Sequence, residues 1–336
     1  MSHGPHMTRR RLLKTLFCSS VAMELNLLTP RAKAAEAAKS GMLDLIAMGD
    51  FGFADQAQKD VAAGLVKYAE SLGKPTQGLL LLGDNFYHPM PGGFESERWK
   101  TGFSDLYPGR VFPGPCWAIL GNHDYHDTVG NEKVQLGYAD FKNYKTRWTM
   151  PGKYYRVDLP KEAPQVTFLM IDTNWDTINR RIHGDHAYCW TSNAEKAEQA
   201  AWLETQLTSK RAPITVVIGH HPVYSDGAHG DTPELVQELS PLFEKHGVHL
   251  YLCGHDHDLQ HLELEGLRTS YVISGGGGAP VHPDDKARKG AVMKPTHGFS
   301  HLTIADNRIL VRHVDPSGQV VHAFSKGAGY DWKVES

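Results

Sequence analysis

Four cysteines are too few and too scattered to hold this chain together. Cys18, Cys116, Cys189 and Cys253 show no C-x-x-C spacing, which excludes a zinc ribbon and a dithiol redox pair. Cys116 and Cys253 sit in apolar runs and read as small core residues, while Cys189 has no readable place. No repeat or low-complexity tract occurs, and 40% hydrophobic against 22% charged residues excludes disorder. A basic excess is missing too, since the formal charge is −3, which argues against nucleic acid as the main partner. The four glycines Gly275 to Gly278 lack a following Gly-Lys-Ser/Thr, so they read as a flexible rim loop and not as a phosphate cradle.

The chain also lacks a membrane span. Lys14, Glu24 and Asn26 interrupt the one mildly apolar N-terminal stretch, and no run approaches the roughly 20 residues that a spanning helix needs. Residues 1–34 read instead as a short cloning scar, Met1 to His6, followed by an export signal. Thr8-Arg9-Arg10-Arg11-Leu12-Leu13-Lys14 resembles a twin-arginine signal, with a small-residue cleavage site at Ala32-Lys33-Ala34. That implies a periplasmic or secreted protein with no stable membrane association. Removing the six Lys/Arg and one Glu of this segment takes the formal charge from −3 to −8. No linker follows, so residues 35–336 read as one domain.

Strands are expected at Leu43–Met48, Gly78–Leu82, Pro115–Leu120, Tyr154–Leu159, Val166–Ile171, Ile214–Ile218, Val248–Leu252, Ser270–Ser274, Phe299–Ile304 and Ile309–His313. Helices are expected at Gln56–Leu72, Val134–Tyr144, Ala194–Ser209 and Glu234–Lys245. Asp176–Trp190 has neither period and reads as a polar surface excursion. Strands that alternate with helices, followed by a strand-rich end, predict an α/β layered fold.

What the sequence has in abundance is histidine, twenty in all. Several sit, beside Asp, Asn and Tyr, among five blocks where apolar runs end at a glycine: Gly49-Asp50, Gly83-Asp84-Asn85-Phe86-Tyr87, Gly121-Asn122-His123-Asp124, Gly219-His220-His221 and Gly254-His255-Asp256-His257. Turns at the carboxyl ends of core strands converge on one crevice in open α/β sheets. The donors divide into an oxygen-rich set, Asp50, Asp84 and Tyr87 with one imidazole, and a neutral set, Asn122 with two imidazoles. Asp84 has two oxygens and can serve both. Phenolate and carboxylates favour a hard trivalent ion, and Asn with His suits a divalent one.

These five blocks together resemble the signature of the purple acid phosphatases of the metallophosphoesterase superfamily, in the order and spacing of the small, mammalian-type members, from about Leu43 to the C-terminus. The resemblance implies a four-layer α/β/β/α sandwich of two mixed sheets. It implies Fe(III) on Asp50, Tyr87 and His257, a divalent ion (Fe, Zn or Mn) on Asn122, His220 and His255, and Asp84 as the bridge. It implies an acid phosphatase that hydrolyses phosphate monoesters, phosphoproteins among the candidates, by direct attack of metal-bound hydroxide. His123 and His229 match the family's substrate-contacting or proton-donating histidines. His88 and His221 stand where the family commonly has aromatic residues and read as pocket wall or surface, and His126 is unassigned. Asp124 and Asp256 read as orienting groups, and His297-Gly298-Phe299 as rim. Two competitors remain open: a phosphodiesterase or nucleotidase with two divalent ions, in which Tyr87 has no evident use, and an inactive binding or scaffold protein on the same fold.

Overall fold

A computed structural model describes residues 41–127, 129–183, 191–282 and 287–335. The expected twin-arginine segment, its cleavage site and Cys189 lie outside the described residues. Two mixed sheets stack face to face. The first runs, edge to edge, Trp332–Val334, Val320–Gly327, Arg308–Val314, Phe299–Ala305, Leu43–Met48, Gly78–Leu81, Cys116–Ala118, Trp148–Thr149. The second runs Ala291–Lys294, Leu259–Leu262, Ser270–Ser274, Leu250–Cys253, Ile214–Ile218, Val166–Met170, Tyr155–Leu159.

The apolar runs are continuous because both faces of the central strands are covered. Leu45, Ala47, Leu80 and Leu82 point between the sheets and meet Phe168, Met170, Val216, Ile218, Leu250 and Leu252. Their alternating neighbours Ile46, Met48, Leu79 and Leu81 face outward onto Val61 and Leu65 of the helix Gln56–Ser71. On the far side Val217, Tyr251 and Cys253 pack against Leu203, Leu207, Leu235 and Phe243 of the helices Asn193–Thr208 and Pro233–His246. Helices therefore flank a two-sheet core, the α/β/β/α layering that the family resemblance implies.

Central strands run parallel: Leu43–Met48 with Gly78–Leu81 and Cys116–Ala118, and Ile214–Ile218 with Leu250–Cys253. Their carboxyl ends consequently emerge along one edge of the sandwich. This single fact brings all five ligand-bearing turns together.

The structure corrects three expectations. Asp176–His183 is helical, held by the ion pair of Arg180 with Asp176 at 2.8 Å and anchored by buried Ile178. Gly275–Gly278 is no free rim loop: all four residues are buried, and Gly277 N donates to Gly49 O at 3.1 Å. Side chains are excluded there because a Cβ on Gly277 would lie 2.2 Å from Gly49 O. Phe299 is likewise core and not rim, with no exposed surface.

One buried polar cluster ties the first strand to its neighbours. The carboxylate of Asp44, 3% exposed, accepts from His301 Nε2 at 2.9 Å and Thr303 Oγ1 at 3.0 Å and pairs with Lys74 at 2.6 Å. Burial alone would raise its pKa, but the hydrogen bonds from His301 and Lys74 outweigh this and bring it from 3.8 to about 2. A carboxylate depressed in the folded state stabilises fully above its unfolded pKa and loses that contribution as pH falls through the folded value. Asp44→Asn is therefore expected to lower stability by about 2 kcal/mol at pH 5. In urea unfolding the gap between parent and variant should narrow as pH falls from about 4 to 2. A gap that stays constant over that range would exclude the pairing as its cause.

Candidate metal centre

Each turn is built so that its donor reaches the crevice. Asp50, Asp84 and His255 all adopt left-handed backbone, with φ of 60°, 52° and 71°. Such values are unfavourable for residues with a Cβ and are held only where the surroundings impose them. Glycines do the imposing. A Cβ on Gly254 would lie 2.4 Å from Asp50 Oδ2, and one on Gly121 would lie 2.1 Å from Asp84 Oδ1. Asp50 Oδ2 accepts from His255 N at 2.9 Å, and Asp84 Oδ1 accepts from His123 N at 2.9 Å.

The seven residues singled out in the sequence fall into two adjoining groups. Tyr87 Oη lies 3.3 Å from Asp50 Oδ1 and 3.2 Å from His257 Nε2, which is 3.7 Å from Asp50 Oδ1. In the second group Asn122 Oδ1 lies 3.0 Å from both His220 Nε2 and His255 Nδ1, and those nitrogens are 3.3 Å apart. Asp84 connects the groups: its Oδ1 is 3.5 Å from His220 Nε2, and donor atoms of Asp50, Asp84 and His220 all lie within 4.8 Å of one another.

The hydrogen-bonding chemistry of these donors fits cations. His220 Nδ1 lies 2.9 Å from Leu82 O, and His257 Nδ1 lies 2.8 Å from Pro280 O. A neutral imidazole that donates from Nδ1 presents a lone pair at Nε2. Asn122 Oδ1 is also an acceptor, so lone pairs face one another across the crevice. Burial would lower the pKa of His220, but Asp84 and Asp50 pull it up to about 10. The pocket thus demands positive charge at this point. Burial, with the carboxylates of Asp84 and Asp50, pushes the Tyr87 phenol well above 10, so a phenolate needs a strong cation beside it. Among the described residues, buried His255 Nε2 has no hydrogen-bond partner.

His123 and His229 flank these groups. The ring of His123 lies over Tyr87 at 4.1 Å between centroids, and that of His229 lies 4.2 Å from His255. Each has its Nδ1 engaged by a carboxylate, His123 by Asp127 at 2.9 Å and His229 by Asp256 at 2.7 Å. Asp256 thus orients a neighbour, and Asp124 accepts from the backbone N–H groups of Asn85, Phe86 and Gly121, the roles read from the sequence. His221 is fully buried beside Thr173 Oγ1 at 3.0 Å, whereas His88 is exposed. Asp127 and His282 went unread. His282 stacks on His257 at 4.9 Å, yet no glycine or apolar run marks it in the sequence.

Comparison with known proteins agrees with this geometry. The calcineurin-like phosphoesterase family profile matches residues 44–259. Tartrate-resistant acid phosphatase type 5 of Oryctolagus cuniculus is 31% identical over 318 residues, 89% of this chain and 94% of the relative. Purple acid phosphatase 7 of Arabidopsis thaliana is 31% identical over 258 residues, 74% of this chain and 75% of that one. The chain is a purple acid phosphatase-family member of the metallophosphoesterase superfamily. For this family a dinuclear metal centre follows, and the crevice described above offers donors for it. GAP50, the anchor in the inner membrane complex of Plasmodium, shares the fold with TM-score 0.67 at 22% identity, over 84% of this chain and 87% of that one. Purple acid phosphatases and an anchor protein therefore use similar frames, and function must be argued from the donors.

Proposed function

We propose that this protein is an exported acid phosphatase that hydrolyses phosphate monoesters at a mixed-valence dinuclear centre. Asp50, Tyr87 and His257 would hold Fe(III), Asn122, His220 and His255 a divalent ion (Fe, Zn or Mn), and Asp84 would bridge. The observation that carries the reading is Asn122 Oδ1 at 3.0 Å from two imidazole nitrogens, with a buried carboxylate and phenol beside them. Burying these polar groups costs stability, and a bound cation offsets that cost. When bound, the metal pair polarises the phosphate, acidifies water and steadies both oxygens of an in-line displacement.

The chain's own residues do the rest. The N–H of His123 fixes Asp84, and Asp127 holds the His123 ring by Nδ1, so a protonated His123 can donate from Nε2 to a phosphate oxygen. Asp256 holds His229 by Nδ1 in the same way, so a protonated His229 can donate from Nε2. As the ester P–O bond breaks, its electron pair stays on the leaving oxygen and the proton arrives there. Among the described residues no helix is long and apolar enough to cross a membrane. The reading of residues 1–34 as a twin-arginine leader, of 35–336 as one catalytic domain, and of the periplasm or exterior as its destination rests on the sequence signals.

The test is colour. Metal-replete protein purified in air is expected to show a broad visible band from Tyr87 phenolate on ferric iron, and Tyr87→Phe is expected to lose it. A colourless parent that still carries its metal pair would favour two divalent ions and a phosphodiesterase or nucleotidase.

A further inference from the structure

Beyond the crevice, one side chain holds the loop that carries His229. Arg288 Nε pairs with Asp226 Oδ1, and its backbone N–H donates to Asp226 Oδ2 at 2.6 Å. Its Nη2 donates to Ser225 O and to Asp231 Oδ1, both at 2.7 Å, and Nη1 to Asp231 Oδ2 at 3.2 Å. Asp226 and Asp231 stand on either side of His229 in the loop. Asp231 Oδ1 also accepts from Ser225 N at 2.9 Å, closing the loop at its base.

The loop's contact with the centre runs through Asp256. Ser225 Oγ donates to Asp256 Oδ2, while His229 offers both its N–H at 3.0 Å and its Nδ1 at 2.7 Å to Asp256 Oδ1. Gly227 passes so close that a Cβ would lie 2.6 Å from Asp256 Cγ. The carboxylate of Asp226 is 3% exposed, and a buried charge without a partner either finds one or drives the chain apart. Without Arg288 the loop would therefore have to move, and His229 with it.

We propose that Arg288 is a positioning residue that clamps the 225–231 loop through Asp226 and Asp231 and so fixes His229 for proton donation to the leaving group. The inference rests on the role given to His229 above. Lysine cannot reproduce the clamp, because a point charge cannot bridge two carboxylates and a carbonyl with a planar fork.

The experiment measures kcat on esters with good and poor leaving groups, p-nitrophenyl phosphate and a simple alkyl phosphate, for the metal-loaded parent, His229→Ala, Arg288→Ala, Arg288→Lys and the double variant. A nitrophenolate leaves without help, and an alkoxide does not. His229→Ala is expected to lose about 10²-fold on the alkyl ester and far less on the aryl one. Arg288→Ala should show the same selectivity at about tenfold, Arg288→Lys less, and the double variant should be no worse than His229→Ala alone. Asp231→Asn, which keeps Asp226 paired, guards against a misfolded Arg288→Ala and should share its pattern. Hydrogen exchange over residues 224–231 should quicken in Arg288→Ala while that over 254–258 does not change. Equal losses on both esters, or losses that multiply with those of His229→Ala, overturn the clamp. If His229→Ala is itself indifferent to the leaving group, the proton-donor role fails instead.

Discussion

Asp84→Ala is expected to lower kcat/KM by about 10³-fold or more, because several kcal/mol of charge stabilisation are lost with the ion pair. The reason is local. Asp84 is the carboxylate whose Oδ1 faces His220 at 3.5 Å, and it shares one cluster with both Asp50 and His220. It is also the main charge that draws His220 up against burial, so its loss weakens the demand for a cation on that side. Metal content by elemental analysis should fall by about half or more, since a site short of one charged donor binds its ion far more weakly. Elemental analysis and phosphatase assay on the same preparation check both points. Activity within a few fold of the parent would remove Asp84 from the centre.

Gly121→Ala should be nearly as damaging although it deletes no donor. The added methyl would lie 2.1 Å from Asp84 Oδ1 and 2.3 Å from Asp84 N, and a backbone nitrogen cannot step aside. Either Asp84 or Asn122, the next residue, must shift. A displacement of about 1 Å at reacting groups costs on the order of 10²-fold in rate. We expect kcat/KM to fall by about that factor with the fold retained, because Asp124 still gathers the N–H groups of Asn85 and Phe86 and the amide of Gln135. Circular dichroism, metal analysis and rate together decide it. A variant as active as the parent would show that the approach of these two turns is not part of the site.

Much of this was legible in the residues, for a physical reason. A strand buried on both faces writes itself as an apolar run, so Leu43–Met48 and Ile214–Ile218 were readable to the residue. Where a strand ends in glycine and then a donor, the site is written too. Strands at or next to a sheet edge left no such trace: Leu259–Leu262 and Ala291–Lys294 carry His, Gln or Lys in short spans, and Val320–Gly327 is interrupted by His322, Ser325 and Lys326. The helix Asp176–His183 was missed because it is stabilised by charge pairing and one buried isoleucine, not by an apolar stripe. Arg288 could not have been found at all. Its meaning lies in carboxylates about sixty residues earlier, a pairing that only the fold creates.

The left-handed backbone at Asp50, Asp84 and His255 has a further consequence. Glycine would relieve each of these positions of a conformation that costs other residues of order 1 kcal/mol or more. Two of the three also crowd negative charge into a dry pocket. A lineage released from the need to hydrolyse phosphate would therefore gain stability by discarding these residues first, and the frame would outlive its chemistry. Losing the chemistry on such a frame is thermodynamically downhill, whereas regaining it must climb.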